Sequence, residues 1–118
     1  MRYKFEDLDV WNLSLDLSDL IFDLANELPE EERYNLISQI DRAATSIALN
    51  IAEGSTSQTD GEQSRFLGYA IRSLIEVIGC LRIIERRKYI QNVDLTEKVE
   101  DLCDQLFIKL QAFKKSLN

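Results

Sequence analysis

The chain has 118 residues, 45% hydrophobic and 30% charged, a composition that suits one domain over residues 1–118 with one core. Its net charge of −7 opposes general attraction to nucleic acid or anionic membranes, and no apolar run is long enough for a membrane span or signal peptide. The absence of histidine removes the usual general base and the commonest metal ligand. We therefore expect a cytoplasmic protein without a catalytic, cofactor or metal site.

The sequence predicts an all-α fold, an antiparallel up-down four-helix bundle, because apolar residues recur at helical spacing and helix breakers are few. The first predicted helix covers about residues 8–28. Its core stripe consists of Val10, Leu13, Leu17, Leu20, Leu24 and Leu28. On the opposite face Asp9, Asp16 and Asp23 recur every seven residues. Such a row can bind a metal but is far more often a solvated face, which we favour.

The second predicted helix covers about residues 30–53 and follows Pro29, which suits a first helical turn. A polar line runs along it, consisting of Arg42, Ser46, Asn50 and Glu53. The spacing of i, i+4, i+8 and i+11 places these groups on one side. They could recognise a phosphate or a small ligand, or they could fix helix register through a buried pair between Arg42 and Glu76. We favour the structural network.

The third predicted helix covers about residues 61–88 and follows the turn-rich segment 54–61, with Thr59 or Asp60 as its N-cap. Its apolar stripe is wide enough to contact two neighbours, which predicts a central helix. The candidate nucleic-acid patch at its end consists of Arg82, Arg86, Arg87 and Lys88. Basic side chains there can neutralise phosphates, but the helix dipole by itself also favours cations in a last turn.

The fourth predicted helix covers about residues 94–117, with Asp94 as its N-cap. Cys80 and Cys103 lie at similar distances from the preceding turn, so a disulfide is geometrically conceivable. Two cysteines in a cytoplasmic protein nevertheless favour reduced, buried thiols, with a redox switch as the minor hypothesis.

Two helices contain apolar residues outside their core stripes. The candidate oligomer interface consists of Trp11, Leu15, Phe22, Cys103, Phe107 and Ile108. A bundle buries one face of each helix, so second stripes predict contact with another subunit. The alternative is that these side chains line the corners of a wide bundle.

Charge is unevenly distributed along the chain. Residues 1–60 hold 4 basic and 13 acidic residues, whereas residues 61–118 hold 10 and 8. Any phosphate-facing surface therefore belongs to the second half. Ordinary decoration of solvated helix faces explains the same asymmetry and is the simpler interpretation.

Three segments resemble one protein family: FEDLDVWNLSLDL, LPEEERYNLISQIDRAATSIALNIAEG and FLGYAIRSLIEV. The middle segment ends in the pattern SI-x-x-NIAEG, which resembles that of the bacterial 23S rRNA intervening-sequence proteins, a group of four-helix bundles. The matching residues are Arg42, Ser46, Asn50, Glu53, Gly54 and Glu76. Asp41 stands where the family usually has a second basic residue, and Ala48 and Leu49 replace a small, proline-containing pair. The resemblance implies a closed homopentameric ring, and the loss of the basic residue lowers the expectation of RNA binding.

We therefore expect a non-enzymatic, homo-oligomeric binding or scaffolding protein, pentameric by resemblance. The alternative is a ribosomal-RNA-associated or other nucleic-acid-binding protein that uses the basic end of the third helix. An enzyme acting on small molecules would need a pocket with convergent polar groups, which no residue pattern indicates.

Overall fold

Apolar side chains recur at helical spacing along most of the chain, and the computed structural model, which describes residues 2–117, is helical over these stretches. A short 3₁₀ turn, Lys4–Asp7, precedes the first helix. The four α helices are α1 (Asp9–Ala25), α2 (Ser38–Gly54), α3 (Asp60–Arg87) and α4 (Val93–Ser116). No residue from 2 to 117 lies in a β strand.

The helices form a closed antiparallel bundle in which each packs against two neighbours. α1 contacts α2 and α4, and α3 likewise contacts α2 and α4. Arg42 faces Glu76 and Ser46 faces Ser73, so residue numbers rise along α2 as they fall along α3. The bundle measures 43 by 25 by 25 Å, and its long dimension is close to that of the 28-residue helix α3. The predicted all-α four-helix bundle is confirmed.

One apolar core runs between the helices, with fully buried side chains from all four of them, including Leu17, Ile47, Leu74, Leu81 and Leu106. The core face of α1 differs slightly from the predicted stripe. Ser14 and Ile21 are buried there, whereas Leu13 and Leu20 are half-buried at its edge. The Ser14 hydroxyl is accommodated because it donates to the Trp11 carbonyl oxygen at 2.6 Å.

The segment between α1 and α2 departs from the predicted helix boundaries. α1 ends at Ala25 rather than near residue 28, and α2 begins only at Ser38. Residues Glu30–Glu32 form a 3₁₀ turn and residues Arg33–Ile37 form a π-helical turn. The backbone at Glu32, at φ −91° and ψ 3°, interrupts the helix and turns the side chain inward.

The sequence predicts the N-cap of α3 correctly and the N-cap of α4 wrongly. Thr59 is the N-cap of α3, and its hydroxyl oxygen accepts the Glu62 amide at 3.1 Å. The prediction that Asp94 caps α4 is wrong, because the helix begins earlier. Asn92 is the N-cap, and its side-chain oxygen accepts the Leu95 amide at 3.0 Å.

Candidate interaction surfaces

The predicted polar line on α2 contacts α3 through two of its four residues, Arg42 and Ser46. The Arg42 guanidinium lies 3.8 Å from the Glu76 carboxylate, and the Ser46 and Ser73 hydroxyls are 2.9 Å apart. The Asn50 amide donates to the Ser46 carbonyl oxygen at 2.9 Å and to its hydroxyl at 3.1 Å. Sequence reasoning missed Ser73, although the register that pairs Arg42 with Glu76 also places it opposite Ser46.

Burial along the polar line is lower than predicted. The Arg42 side chain is 71% exposed and the Glu76 side chain 44% exposed, so the expected buried pair is a surface ion pair. Such pairs typically contribute under about 1 kcal/mol. Within residues 2–117, Glu53 makes no ion pair. It lies on an open surface depression with Asp41, Leu49 and their neighbours.

Two of the four basic residues at the end of α3 are engaged within the subunit. Arg82 forms an ion pair with Glu85 at 2.8 Å and another with Glu100 of α4. Arg87 donates to Glu32 at 3.0 Å. Arg86 and Lys88 are exposed, and no carboxylate of the described chain lies within ion-pair distance of either. The predicted nucleic-acid patch thus contains two available cations rather than four.

A hydrogen-bonded cluster around the carboxylate of Glu32, which the sequence did not indicate, joins the α1–α2 segment to the end of α3. Glu32 is only 7% exposed. It accepts hydrogen bonds from the Tyr89 hydroxyl at 2.8 Å, from Arg87 at 3.0 Å and from the Asn35 amide at 2.9 Å. The Tyr89 hydrogen bond, helped by Asn35, the Leu36 amide and the Arg87 charge, holds the pKa of Glu32 below its ordinary value despite burial. The same hydrogen bond raises the pKa of Tyr89.

The end of the bundle near this cluster has a cavity of about 370 Å³. Its apolar wall includes Leu24, Leu81 and Ile84, and its polar lining consists of Glu85, Lys88, Gln91, Thr96 and Glu97. Neither cysteine lines it. No group of three or more cysteine, aspartate or glutamate side chains in residues 2–117 is arranged to hold a metal ion.

Both cysteines are free and buried. Burial raises the pKa of the Cys103 thiol to about 12, with the charges of Glu100 and Asp104 adding to the effect, and burial likewise raises the pKa of Cys80. Cys103 is 0% exposed. It belongs to the core of the subunit, so its assignment to the oligomer interface is wrong.

The other predicted interface residues fall into two groups on different helices. On α1, Leu15 and Phe22 are exposed at 39% and 63%, and Trp11 is half-buried with its ring 4.6 Å from that of Phe5. On α4, Ile108 is 67% exposed and its neighbour Phe107 packs partly against the core. Ile75 of α3 is 52% exposed and was not predicted. No helix of the described chain could cross a membrane.

Comparison with known proteins agrees with this architecture. The sequence profile of the 23S rRNA-intervening sequence protein family matches residues 6–112. A crystal structure of a protein of unknown function from the S23 ribosomal protein family of Bacteroides thetaiotaomicron has the same fold, with a TM-score of 0.80. The two chains are 25% identical, and the match covers 90% of this chain and 98% of that one. No curated protein matches the chain significantly.

Proposed function

The chain belongs to the 23S rRNA-intervening sequence protein family, and from this premise we propose that it is a non-enzymatic, cytoplasmic, homo-oligomeric scaffold or binding protein. The subunits close into a ring, with five as the number implied by the family resemblance. The observation behind the proposal is the exposure of large apolar side chains, among them Phe22 and Ile108, on helices whose core faces are already buried.

The distribution of polar groups supports a binding role over a catalytic one. The most buried carboxylate, Glu32, already accepts hydrogen bonds from three side chains, and Cys103 is sealed in the core with a raised pKa. Neither is available to act as a base or nucleophile on a substrate. We assign the contacts of Arg42 and Ser46 to fixing the register of α2 against α3, with Asn50 holding the Ser46 hydroxyl from within α2 and with Glu53 at the open end of the line.

Nucleic-acid binding is the second candidate, and the exposure of Arg86 and Lys88 favours it. Two cations per subunit bind phosphate weakly, but a ring repeats them, and simultaneous contacts can raise avidity by about 10²-fold or more. The engagement of Arg82 and Arg87 with carboxylates reduces the patch and makes this the weaker candidate.

Light scattering coupled to size exclusion tests both candidates, with the protein alone and with total cellular RNA at low and moderate salt. We expect a species several times the 13.7 kDa subunit mass whose elution ignores RNA. A species that binds RNA at low salt and releases it at higher salt would favour the second candidate. Its binding should then be lost in the R86Q/K88Q variant. A monomer at all concentrations would overturn the scaffold proposal.

A further inference from the structure

We propose that the cavity at the end of the bundle binds a free α-amino acid with an apolar side chain. Lys88 holds the carboxylate of the ligand and Glu97 holds its ammonium group, while Leu81 and its apolar neighbours contact its side chain. The site lies within one subunit, so the inference goes beyond the proposed assembly and does not depend on it.

The floor of the cavity is apolar and belongs to the buried core. It is formed by Leu24 of α1 and by Leu81 and Ile84 of α3, each of them only 1% exposed. Ile90 of the α3–α4 connection and Val93 of α4 extend the apolar lining toward the surface. The volume of about 370 Å³ is at the small end of the usual range for ligand sites, about 300–1,000 Å³. It therefore suits a molecule of the size of one amino acid.

Charged side chains form the rim of the cavity. Glu85, Lys88 and Glu97 line it and are exposed. Arg82 neutralises Glu85 through an ion pair at 2.8 Å. Within residues 2–117, no opposite charge lies within ion-pair distance of Lys88 or of Glu97, and the two do not pair with each other. The rim therefore presents one cation and one anion that the subunit does not pair.

These two charges select among the classes of small ligand. A phosphorylated compound carries about two negative charges, which Glu85 and Glu97 would repel. An amine without a carboxylate would leave Lys88 without an acceptor. An α-amino acid satisfies both groups, because it carries an ammonium group and a carboxylate on the same carbon. Its side chain then projects away from both charges and can enter the apolar floor.

The backbone at Lys88 is a second, independent observation. Lys88 ends α3 at φ 58° and ψ 37°, in the left-handed region, and it is the one non-glycine residue of the described chain with a positive φ. Glycine is the usual residue at such a helix end, because a Cβ there costs free energy. A lysine at this position keeps a cation on the rim that glycine would lack, as expected where the side chain has a binding role.

Ligand-observed saturation-transfer NMR tests the proposal, with L-leucine and L-phenylalanine as the probes. We expect saturable binding, with the strongest transfer to the methyl or ring protons that contact the apolar floor. Free glycine lacks the side chain and L-aspartate adds a negative charge, so neither should bind at the same concentration. A millimolar dissociation constant would be detected with about 10 mM ligand. If neither probe binds saturably at that concentration, the proposal is wrong.

Lys88→Gln and Glu97→Gln each remove one of the two charges. We expect each to raise the dissociation constant for L-leucine about tenfold, through loss of a charge-assisted hydrogen bond. Lys98→Gln and Asp101→Asn are the matched controls and should leave it unchanged, because both residues are exposed on α4 and neither lines the cavity. All four positions are exposed, so the variants should fold, and far-UV circular dichroism checks this. Undiminished binding by the two cavity variants would overturn the proposal.

Modified ligands decide which charge each residue recognises. N-acetyl-L-leucine lacks the ammonium group, and L-leucine methyl ester lacks the negative charge of the carboxylate. We expect N-acetyl-L-leucine to bind Glu97→Gln more tightly than the wild type, because a repulsion is removed, and the methyl ester likewise to bind Lys88→Gln more tightly. The reverse pairing, or equal weakening of all three ligands in both variants, would overturn the proposal. A monomeric protein that shows the expected pairing would overturn only the proposed assembly, so the two failures are distinguishable.

Discussion

Glu32 makes the stability of the fold depend on pH, because its carboxylate is hydrogen-bonded in the folded protein. Its pKa in the folded protein lies below the ordinary value of 4.5, chiefly because the Tyr89 hydroxyl donates to the ionised form. Ionised Glu32 therefore stabilises the fold above that value, and this stabilisation is lost as the pH falls through the folded pKa. The hydrogen-bonded carboxylate thus connects protonation to the anchoring of the segment before α2.

We predict that Glu32→Gln lowers the melting temperature most at pH 7, and that the difference from the wild type narrows as the pH falls below about 4.5. Thermal unfolding followed by circular dichroism across this pH range measures the effect. Glu31→Gln is the matched control, since Glu31 is exposed and should change the melting temperature little at any pH. A difference that is constant with pH would show that the Glu32 charge does not matter.

Gly54 is fixed by the close approach of α2 and α3. A Cβ at this position would lie 2.9 Å from the Cβ of Phe66, an atom that cannot move without shifting α3. We predict that Gly54→Ala destabilises the protein by about 1–3 kcal/mol through overpacking. Gly79→Ala, where nothing lies within 4 Å, should stabilise it by about 0.5–1 kcal/mol through helix propensity. Urea denaturation measures the free energy of unfolding of both variants. Equal changes in that free energy would contradict the packing argument.

Sequence reasoning located residues well where local spacing decides and poorly where distant elements meet. The spacing of Arg42 along α2, with antiparallel register, predicted Glu76 as its partner. The exposure of the Arg42–Glu76 pair depends on how the two helices are rotated toward each other, and the spacing of residues along one helix does not determine that rotation. Glu32 illustrates the larger gap: its partners Arg87 and Tyr89 lie 55 and 57 residues away, and no local pattern marks such a contact.

At the scale of elements, the segment Glu30–Ile37 shows how tertiary contacts override local preference. Pro29 followed by three glutamates is a good helix start, and the sequence alone predicts an α helix there. The structure instead has a 3₁₀ turn and a π turn, which allow Glu32 to reach Tyr89 and Leu36 to enter the core. Helix existence was predictable from periodicity, but the type of its first turns was not.

The beginning of α4 offers a direct test of its cap. We predict that Asn92→Ala destabilises the protein by about 1 kcal/mol, because the Leu95 amide loses its acceptor. Asp94→Ala loses a dipole interaction of about 0.5 kcal/mol but gains a comparable helix propensity, so its net effect should be near zero. Chemical denaturation measures both. A larger loss for Asp94→Ala would mean that the helix begins later than Asn92.

At the scale of the whole molecule, the charge asymmetry along the chain acquires a spatial meaning. The sequence divides into an acidic first half and a slightly basic second half, and the simpler interpretation is decoration of solvated faces. The antiparallel bundle places the two halves on opposite sides of the subunit. The order of the helices around the bundle, which periodicity does not specify, therefore turns a distribution along the sequence into two surfaces with different charge.

Self-association predicts that stability depends on protein concentration. If unfolding requires the ring to dissociate, each tenfold rise in concentration stabilises a subunit by about 1 kcal/mol, which raises the melting temperature by about 4 °C. Calorimetry over a hundredfold concentration range measures this slope. Phe22→Asp is the comparison. Phe22 is 63% exposed, so the substitution leaves the core intact, but it places a charge among the apolar side chains that the proposed subunit contact would cover. The melting temperature of this variant should not change with protein concentration. A wild-type melting temperature that is independent of concentration would mean that folded subunits are stable alone. The exposed apolar side chains of α1 and α4 would then contribute nothing to stability through contact between subunits.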